Sequence, residues 1–326
     1  MRRKLVEVGR RLAAHLPRRW DRRARELGKV LVNYRGARRT GTRAFAFARL
    51  ARTSPLVSTS FGRGQLLVPT DDQEIGRTVY ITGGYERIYM STAVSYLEST
   101  GFCPNGRTFV DVGANIGAST VDALLKFGFA RAICFEPQAA NFRLLRMNLI
   151  LNDLDERARA YRLALSDYDG TALLQQMTAA NSGDYRVTTS AANDASADGQ
   201  RGEEIRCLTL DSLITSGEVT LEELGLIWID AQGHEASVLA GARTALAARV
   251  PVFLEYWPEA LGDSLGGLEA LIRAHFSTVV DIRLLAEGLP AQATLGSSEL
   301  GTLRQRYRRS QTDLLLLPGA QRPGLP

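Results

Sequence analysis

The chain has 326 residues, of which 45% are apolar and 23% charged, with a net charge of +5. That excludes a disulfide-dependent miniprotein and a wholly disordered chain. It also excludes a multi-span membrane protein, because no apolar run approaches the ~20 residues of a spanning helix and the strongest short run, Leu314 to Leu317, stops at Pro318.

The charge is unevenly placed. Residues 1–63 hold 18 basic and 3 acidic residues, so the basic excess belongs to the start of the chain and the remainder is mildly acidic. Residues 1–60 are read as a basic, partly helical N-terminal extension. Leu5, Val8, Leu12 and Leu16 fall at helical spacing with Arg2, Arg3, Arg10 and Arg11 on other faces, up to Pro17. The charges within this stretch and the lack of a small-residue cleavage site speak against a secretory signal. An anionic membrane surface, nucleic-acid phosphates, a transit peptide's receptor and a partner protein are all partners for such a helix. Sparse aromatics weaken single-strand nucleic-acid binding.

Residues 61–104 form a lead-in expected to cap the site that follows. The pattern predicts strands over 61–82, a turn at Asp71-Asp72 and a helix over 85–99. From residue 105 to 318, short apolar strands alternate with amphipathic helices. Strands are expected at 108–112, 132–135, 158–165, 171–177, 226–230, 252–256, 278–282 and 313–317. Helices are expected at 119–127, 139–151, 235–248 and 265–276. Residues 178–204 are small and polar and read as an insertion, and 319–326 as a loose tail. Such alternation gives βαβ units and a parallel sheet covered on both faces. Cys103, Cys134 and Cys207 are too few and too scattered for a disulfide or zinc framework and read as small buried residues of a protein kept reduced. Together with 37 arginines against 3 lysines, this points to a bacterial cytoplasmic protein, with the inner membrane surface as an alternative station for the extension.

The first strand runs into Asp111-Val112-Gly113-Ala114-Asn115-Ile116-Gly117, and a helix opens at Ser119. Gly113 and Gly117 would let a ligand approach the backbone, and the helix N-terminus attracts negative charge. Asn115 replaces the middle glycine of a dinucleotide fingerprint, which argues against a pyrophosphate. Asp111 suits positive charge instead. Glu136 and Pro137 end the second strand, Glu136 standing 19 residues after Gly117, and an acid about 20 residues on is placed to hold ribose hydroxyls. A ligand with an amine, a carboxylate and a nucleoside fits these features.

DVGANIG at 111–117, FEP at 135–137, NFRLLRMNLILN at 141–152 and LALSD at 163–167 resemble the cofactor pocket of class I methyltransferases dependent on S-adenosylmethionine (SAM). IDAQGHE at 229–235 followed by VLAGARTAL resembles the FkbM family in particular, and the resemblance covers residues 105–275. It implies an α/β fold: a Rossmann-like sheet with helices on both faces and a reversed final strand. It implies a hydroxyl acceptor on a sugar, glycan or secondary metabolite, with SAM as donor. Carried over, Asp111, Gly113, Ala114, Asn115 and Gly117 would line the methionine end. Glu136 and Pro137 would hold the ribose, Leu165 and Ser166 would lie beside the adenine, and Asp230 would face the methyl group. Ala231-Gln232 departs mildly from the family's D-V-E-G or D-V-Q-G, and Gln232 cannot ionise.

Asp230, His234, Glu235 and Glu255 are candidates for the base that a hydroxyl acceptor needs. Asp230 with Glu255 is alternatively a divalent-ion pair. Glu86 is a candidate lid or cofactor contact, and Asn181-Ser182-Gly183 a candidate contact within the insertion. Two other functions are set against O-methylation. One is an RNA methyltransferase using the basic extension, disfavoured because no Asn/Asp-Pro-Pro-aromatic turn and no cysteine follows the fourth strand. The other is a non-catalytic SAM-binding module.

Overall fold

The computed structural model describes residues 34–176, 185–188 and 202–319. The helix expected over 1–16 and the Asn181-Ser182-Gly183 element lie outside the described residues.

The lead-in begins with α1 (Tyr34–Leu50), then a hairpin of β1 (Leu56–Phe61) and β2 (Gly64–Pro69), then α2 (Ile75–Thr82) and α3 (Arg87–Ser99). Residues 75–82 correct the expected strand. Asp72 Oδ1 accepts the N–H groups of Glu74 and Ile75 at 2.8 and 3.1 Å, Ile75 and Val79 bury one helical face, and Gly83 ends the turn at φ 74°. Helix α1 docks on this unit through Arg43, which donates to the Tyr80 carbonyl at 2.7 Å and the Thr59 hydroxyl at 2.8 Å.

The body then follows as β3 (Thr108–Val112), α4 (Ala118–Leu125), β4 (Arg131–Phe135), α5 (Ala139–Leu151) and β5 (Ala158–Tyr161). Next come β6 (Ala164–Leu165), β7 (Gly170–Gln176), β8 (Tyr185–Thr188), β9 (Glu203–Leu208) and α6 (Leu210–Thr215). After them run β10 (Leu224–Ile229), α7 (Glu235–Ala240), α8 (Arg243–Ala247), β11 (Val252–Tyr256), α9 (Pro258–Leu261) and α10 (Leu265–His275). The last elements are β12 (Thr278–Asp281), α11 (Ile282–Ala286), α12 (Pro290–Ala293), β13 (Thr294–Gly296), α13 (Leu300–Arg306) and β14 (Thr312–Leu317).

The main sheet has the order β13-β12-β14-β11-β10-β3-β4-β5. Its central strands are parallel, and β14 inserts antiparallel between β11 and β12. This is the α/β Rossmann-like sheet with a reversed final strand. Both faces are covered. Phe109, Trp228 and Phe253 face the layer of α3, α4 and α5, while Val110, Ile227 and Leu254 face α6, α7, α8 and α10. No helix among the described residues is long and apolar enough to cross a membrane.

Three further expectations are corrected. The strand expected over 158–165 splits, because β6 leaves the main sheet to pair with β9 in a second sheet of order β6-β9-β7-β8. Part of the expected insertion, β8, pairs antiparallel with β7 in that same sheet. The helix expected over 235–248 breaks at Gly241, where a Cβ would collide with the Ser166 carbonyl. Cys134 and Cys207 are buried as expected, but Cys103 is exposed, and all three are free thiols.

The lead-in is fixed to the body by polar clasps. Asn148 of α5 is fully buried. Its Nδ2 donates to the Ile116 and Leu67 carbonyls at 2.8 and 3.1 Å, and its Oδ1 accepts the Leu67 N–H at 2.7 Å. Arg87 of α3 donates to both Asp122 oxygens at 2.7 and 3.1 Å. Replacing Asn148 with alanine strands these backbone groups in the interior. The urea midpoint is expected to fall by the equivalent of about 1–3 kcal/mol, and an unchanged midpoint would show that the clasp does not hold the hairpin.

Candidate active site

Three strand ends meet above the sheet. The N–H groups of Gly113 and Ala114 both donate to the Phe135 carbonyl at 3.0 Å, and the Asp230 N–H donates to the Val112 carbonyl at 3.0 Å. A Cβ at Gly113 (φ 83°) would collide with the Asp230 carbonyl, so only glycine lets β3 and β10 close up here. Gly117 (φ 88°) serves packing too: its missing Cβ leaves room for Leu145. Both glycines thus admit neighbouring parts of the chain, where the sequence suggested a ligand.

The cavity at this meeting point is lined by Val112 to Ile116, Ala118 and Ser119 after β3, and by Glu136, Pro137 and Asn141 after β4. Ala164, Leu165, Leu174, Tyr185 and Val187 form an apolar wall from the second sheet, and Ile75 and Tyr85 close it from the lead-in. Asp230, Ala231, Gln232 and His234 complete it after β10. Asn115 and Gln232 hold left-handed backbones with φ of 51° and 50°, and Glu86, next to Tyr85, has φ 46°. Such conformations are uncommon outside glycine and gather where a site dictates the chain's path.

Each carboxylate is held differently. Glu136 Oε2 accepts the Asn115 N–H and Oε1 the Gln138 N–H, both at 2.8 Å. Each oxygen keeps a further acceptor position, since an ionised carboxylate offers about four. Burial pushes its pKa up to about 7. Asp111 is buried beneath the cavity and does not line it. Its Oδ2 accepts the Thr120 hydroxyl at 2.5 Å, and burial pushes its pKa up to about 7. Asp111, expected to line the methionine end, is thus not part of this lining.

After β10, the Glu235 Oε1 accepts the N–H groups of Ala231 and Gly233 at 3.2 and 3.0 Å, pinning the turn that carries Asp230. Burial pushes the Glu235 pKa up to about 7 as well. Asp230 Oδ1 accepts from Gln232 Nε2 at 3.0 Å, and burial raises its pKa. His234 Nε2 lies 3.0 Å from the Ser166 hydroxyl, and burial lowers its pKa. His234 therefore joins the turn after β6. Ser166 supports this wall from behind, outside the lining.

Glu86 and Glu255 also lie outside the lining. Glu255 Oε1 accepts from Gln311 at 2.6 Å. The sequence reading passed over Tyr85, Ile75, Leu174, Tyr185 and Val187. The first two depend on how the lead-in folds back, Leu174 lies on the strand expected over 171–177 but was given no role, and Tyr185 and Val187 come from a strand that composition hid inside a polar stretch. Among the described residues, no group of three or more His, Cys, Asp or Glu side chains is arranged to hold a metal ion.

The sequence profile of the FkbM methyltransferase domain matches residues 111–275, just over half of the chain. The chain belongs to the FkbM methyltransferase family. Similar solved structures include an FkbM methyltransferase from Methylobacillus flagellatus KT, 15% identical, with the alignment covering 89% of this chain and 60% of that one at a TM-score of 0.37. This FkbM chain thus spans less than two thirds of that protein's length. An O-methyltransferase from Bacillus cereus in complex with SAH is 12% identical over 85% of this chain and 90% of that one, TM-score 0.38. TYW2 from P. horikoshii in complex with MeSAdo is 11% identical over 81% and 70%, TM-score 0.40. No curated protein matches the chain.

The buried acids of this FkbM domain set a pH dependence. Glu235, ordinarily near 4.5, is raised to about 7 in the fold. Its protonated form is thus favoured by folding, and that stabilisation is present below about 4.5 and lost as pH rises through about 7. Glu235→Gln keeps the acceptor oxygen and cannot ionise. Its thermal midpoint should match the wild type near pH 5 and gain on it towards pH 8, by at most about 3 kcal/mol. A constant difference across that range would contradict the burial account.

Proposed function

We propose that this FkbM-family chain transfers a methyl group from SAM to a hydroxyl of a sugar, glycan or secondary metabolite. The observation that carries the reading is one cavity lined by two chemically different groups. Glu136 and the apolar wall of Leu165, Leu174, Tyr185 and Val187 suit a ribose and a base, while Asp230 and Tyr85 line it as well. Family membership supports methyl transfer, and the donor set fits a cationic nucleoside. Three buried carboxyls in and beneath the cavity, Asp111, Glu136 and Asp230, have pKa values raised by burial, and a positive ligand favours their ionised forms.

In this reading Glu136 holds the ribose hydroxyls, and Leu165 with the His234–Ser166 pair flanks the adenine. SAM supplies a methyl group already activated on a sulfonium. The chain positions the acceptor and takes up one proton as the new C–O bond forms. Asp230 is the base: a carboxylate whose pKa burial has raised binds a proton more readily than an exposed one, and its Oδ2 has no hydrogen bond to a described residue.

Calorimetric titration of the full chain is expected to detect both SAM and S-adenosylhomocysteine. Glu136→Ala should weaken either by about tenfold or more, in line with the loss of charge-assisted hydrogen bonds. With isotopically labelled SAM and a panel of sugars and glycosylated metabolites, label should appear as an O-methyl ether. Asp230→Asn should slow that reaction by about 10²- to 10⁴-fold with S-adenosylhomocysteine, which carries no sulfonium charge, still bound. Failure to bind either nucleoside, or label entering RNA alone, would defeat the reading.

A further inference from the structure

Beyond Asp230 lie three acids with no part in the reading so far. Strands β10, β11 and β14 are neighbours, with Ile229 opposite Leu254 and Glu255 opposite Asp313. Asp230 follows Ile229, so the three carboxylates stand side by side at one sheet edge. Strand alternation puts them on the face of Trp228, Phe253 and Leu315, which α3 covers. Glu86 joins them from the start of α3, and Tyr85, which lines the cavity, lies in the field of Glu86, Asp230 and Glu255.

The group lacks countercharge. Among the described residues its paired cation is Arg283, whose Nε donates to Asp313 at 3.2 Å and whose guanidinium sits over Tyr89. Glu255 is only 8% exposed. Its Oε1 accepts the Gln311 amide, and its Oε2 is buried with no hydrogen-bond partner among the described residues. A buried acceptor left empty is costly unless a ligand fills it. Burial and the neighbouring carboxylates push Glu255 up to about 10 and Asp313 to about 6, and they raise Glu86; burial alone raises Asp230.

We propose that Glu86, Asp230, Glu255 and Asp313 form a subsite for the protonated amine of the methyl acceptor, which makes the substrate an amino sugar or a similar amino-bearing polyol. The inference rests on the SAM-dependent reading of the adjoining cavity, which Asp230 lines. An ammonium carries three N–H donors and suits carboxylate oxygens spread over several strands. A divalent ion instead needs oxygens converging at about 2.0–2.6 Å, and no such convergence occurs among the described residues. A neutral hydroxyl would fill the empty Oε2 but leave the charge unanswered.

The test uses the full chain saturated with S-adenosylhomocysteine and two small probes, ethanolamine and ethylene glycol. Ethanolamine is expected to bind at least about tenfold more tightly than the glycol, as a charge-assisted contact requires. Its heat should depend on the buffer, because an ammonium favours the ionised form of Glu255, which then gives up its proton. Glu255→Gln, nearly isosteric, should weaken ethanolamine several-fold with S-adenosylhomocysteine affinity retained. Equal binding of the two probes by the wild type would overturn the inference without recourse to a variant. So would indifference to Glu255→Gln, or Mg²⁺ displacing ethanolamine at lower concentration. If S-adenosylhomocysteine itself does not bind, the cofactor reading fails first and the subsite falls with it.

Discussion

The site depends on a close crossing of two backbones. At the ends of β3 and β10, Gly113 and the Asp230 carbonyl approach so nearly that no side chain fits between them. The Phe135 carbonyl takes two N–H groups from the same turn. Three strand ends are thereby locked to one another before any side chain is considered. Glu136, Asn115 and Asp230 then reach a common cavity because their positions along the strands are fixed, and β-strands leave side-chain direction no freedom once register is set. The left-handed residues Asn115 and Gln232 follow from this constraint, since each turn must reverse sharply to clear the other.

The second organising feature is electrostatic. Acids at this sheet edge are buried with backbone N–H groups, hydroxyls and amides as partners, and mostly without cations: Glu136 on two amides, Glu235 on two more, Asp111 on Thr120, Glu255 on Gln311. Dipolar partners orient a carboxylate without neutralising it, so burial dominates and the pKa values rise. Elsewhere in the fold the pairing is different. Glu269 meets Arg273 and Arg304, and its pKa is lowered. The contrast is what the proposed positive ligand would answer.

Much of this was legible in the sequence, and the reasons differ by element. Helix α5 lies at 139–151 as the apolar spacing requires, and the alternation after residue 105 specifies the parallel core. The motifs at 111–117, 135–137 and 229–235 sit on the strand ends that form the cavity. Where packing overrides local pattern, reading fails. Residues 75–82 carry Thr, Val, Tyr and Ile, which favour strands, yet the buried pair Ile75 and Val79 and the Asp72 cap make them helical. Asp111, placed at the methionine end by the resemblance, lies outside the lining, and its Oδ2 accepts the Thr120 hydroxyl, a pairing that a motif does not reveal. Tyr85 and Asp313 join the site only through the return of the lead-in and the insertion of β14, both long-range events that no local window encodes.

That division explains why the donor half of the pocket is easier to read than the acceptor half. The donor half is assembled from consecutive βα turns, so its residues cluster in short, recognisable motifs. The acceptor half draws on segments far apart in the chain: Glu86 before the sheet, Glu255 on β11, Arg283 on α11 and Asp313 on the last strand. Each of these positions is free to change without disturbing the crossing at Gly113. A fold can therefore keep its methyl donor while its acceptor changes. On the proposed reading, the charge balance at this edge, four carboxyls against one guanidinium among the described residues, is what would set the chain's own substrate preference.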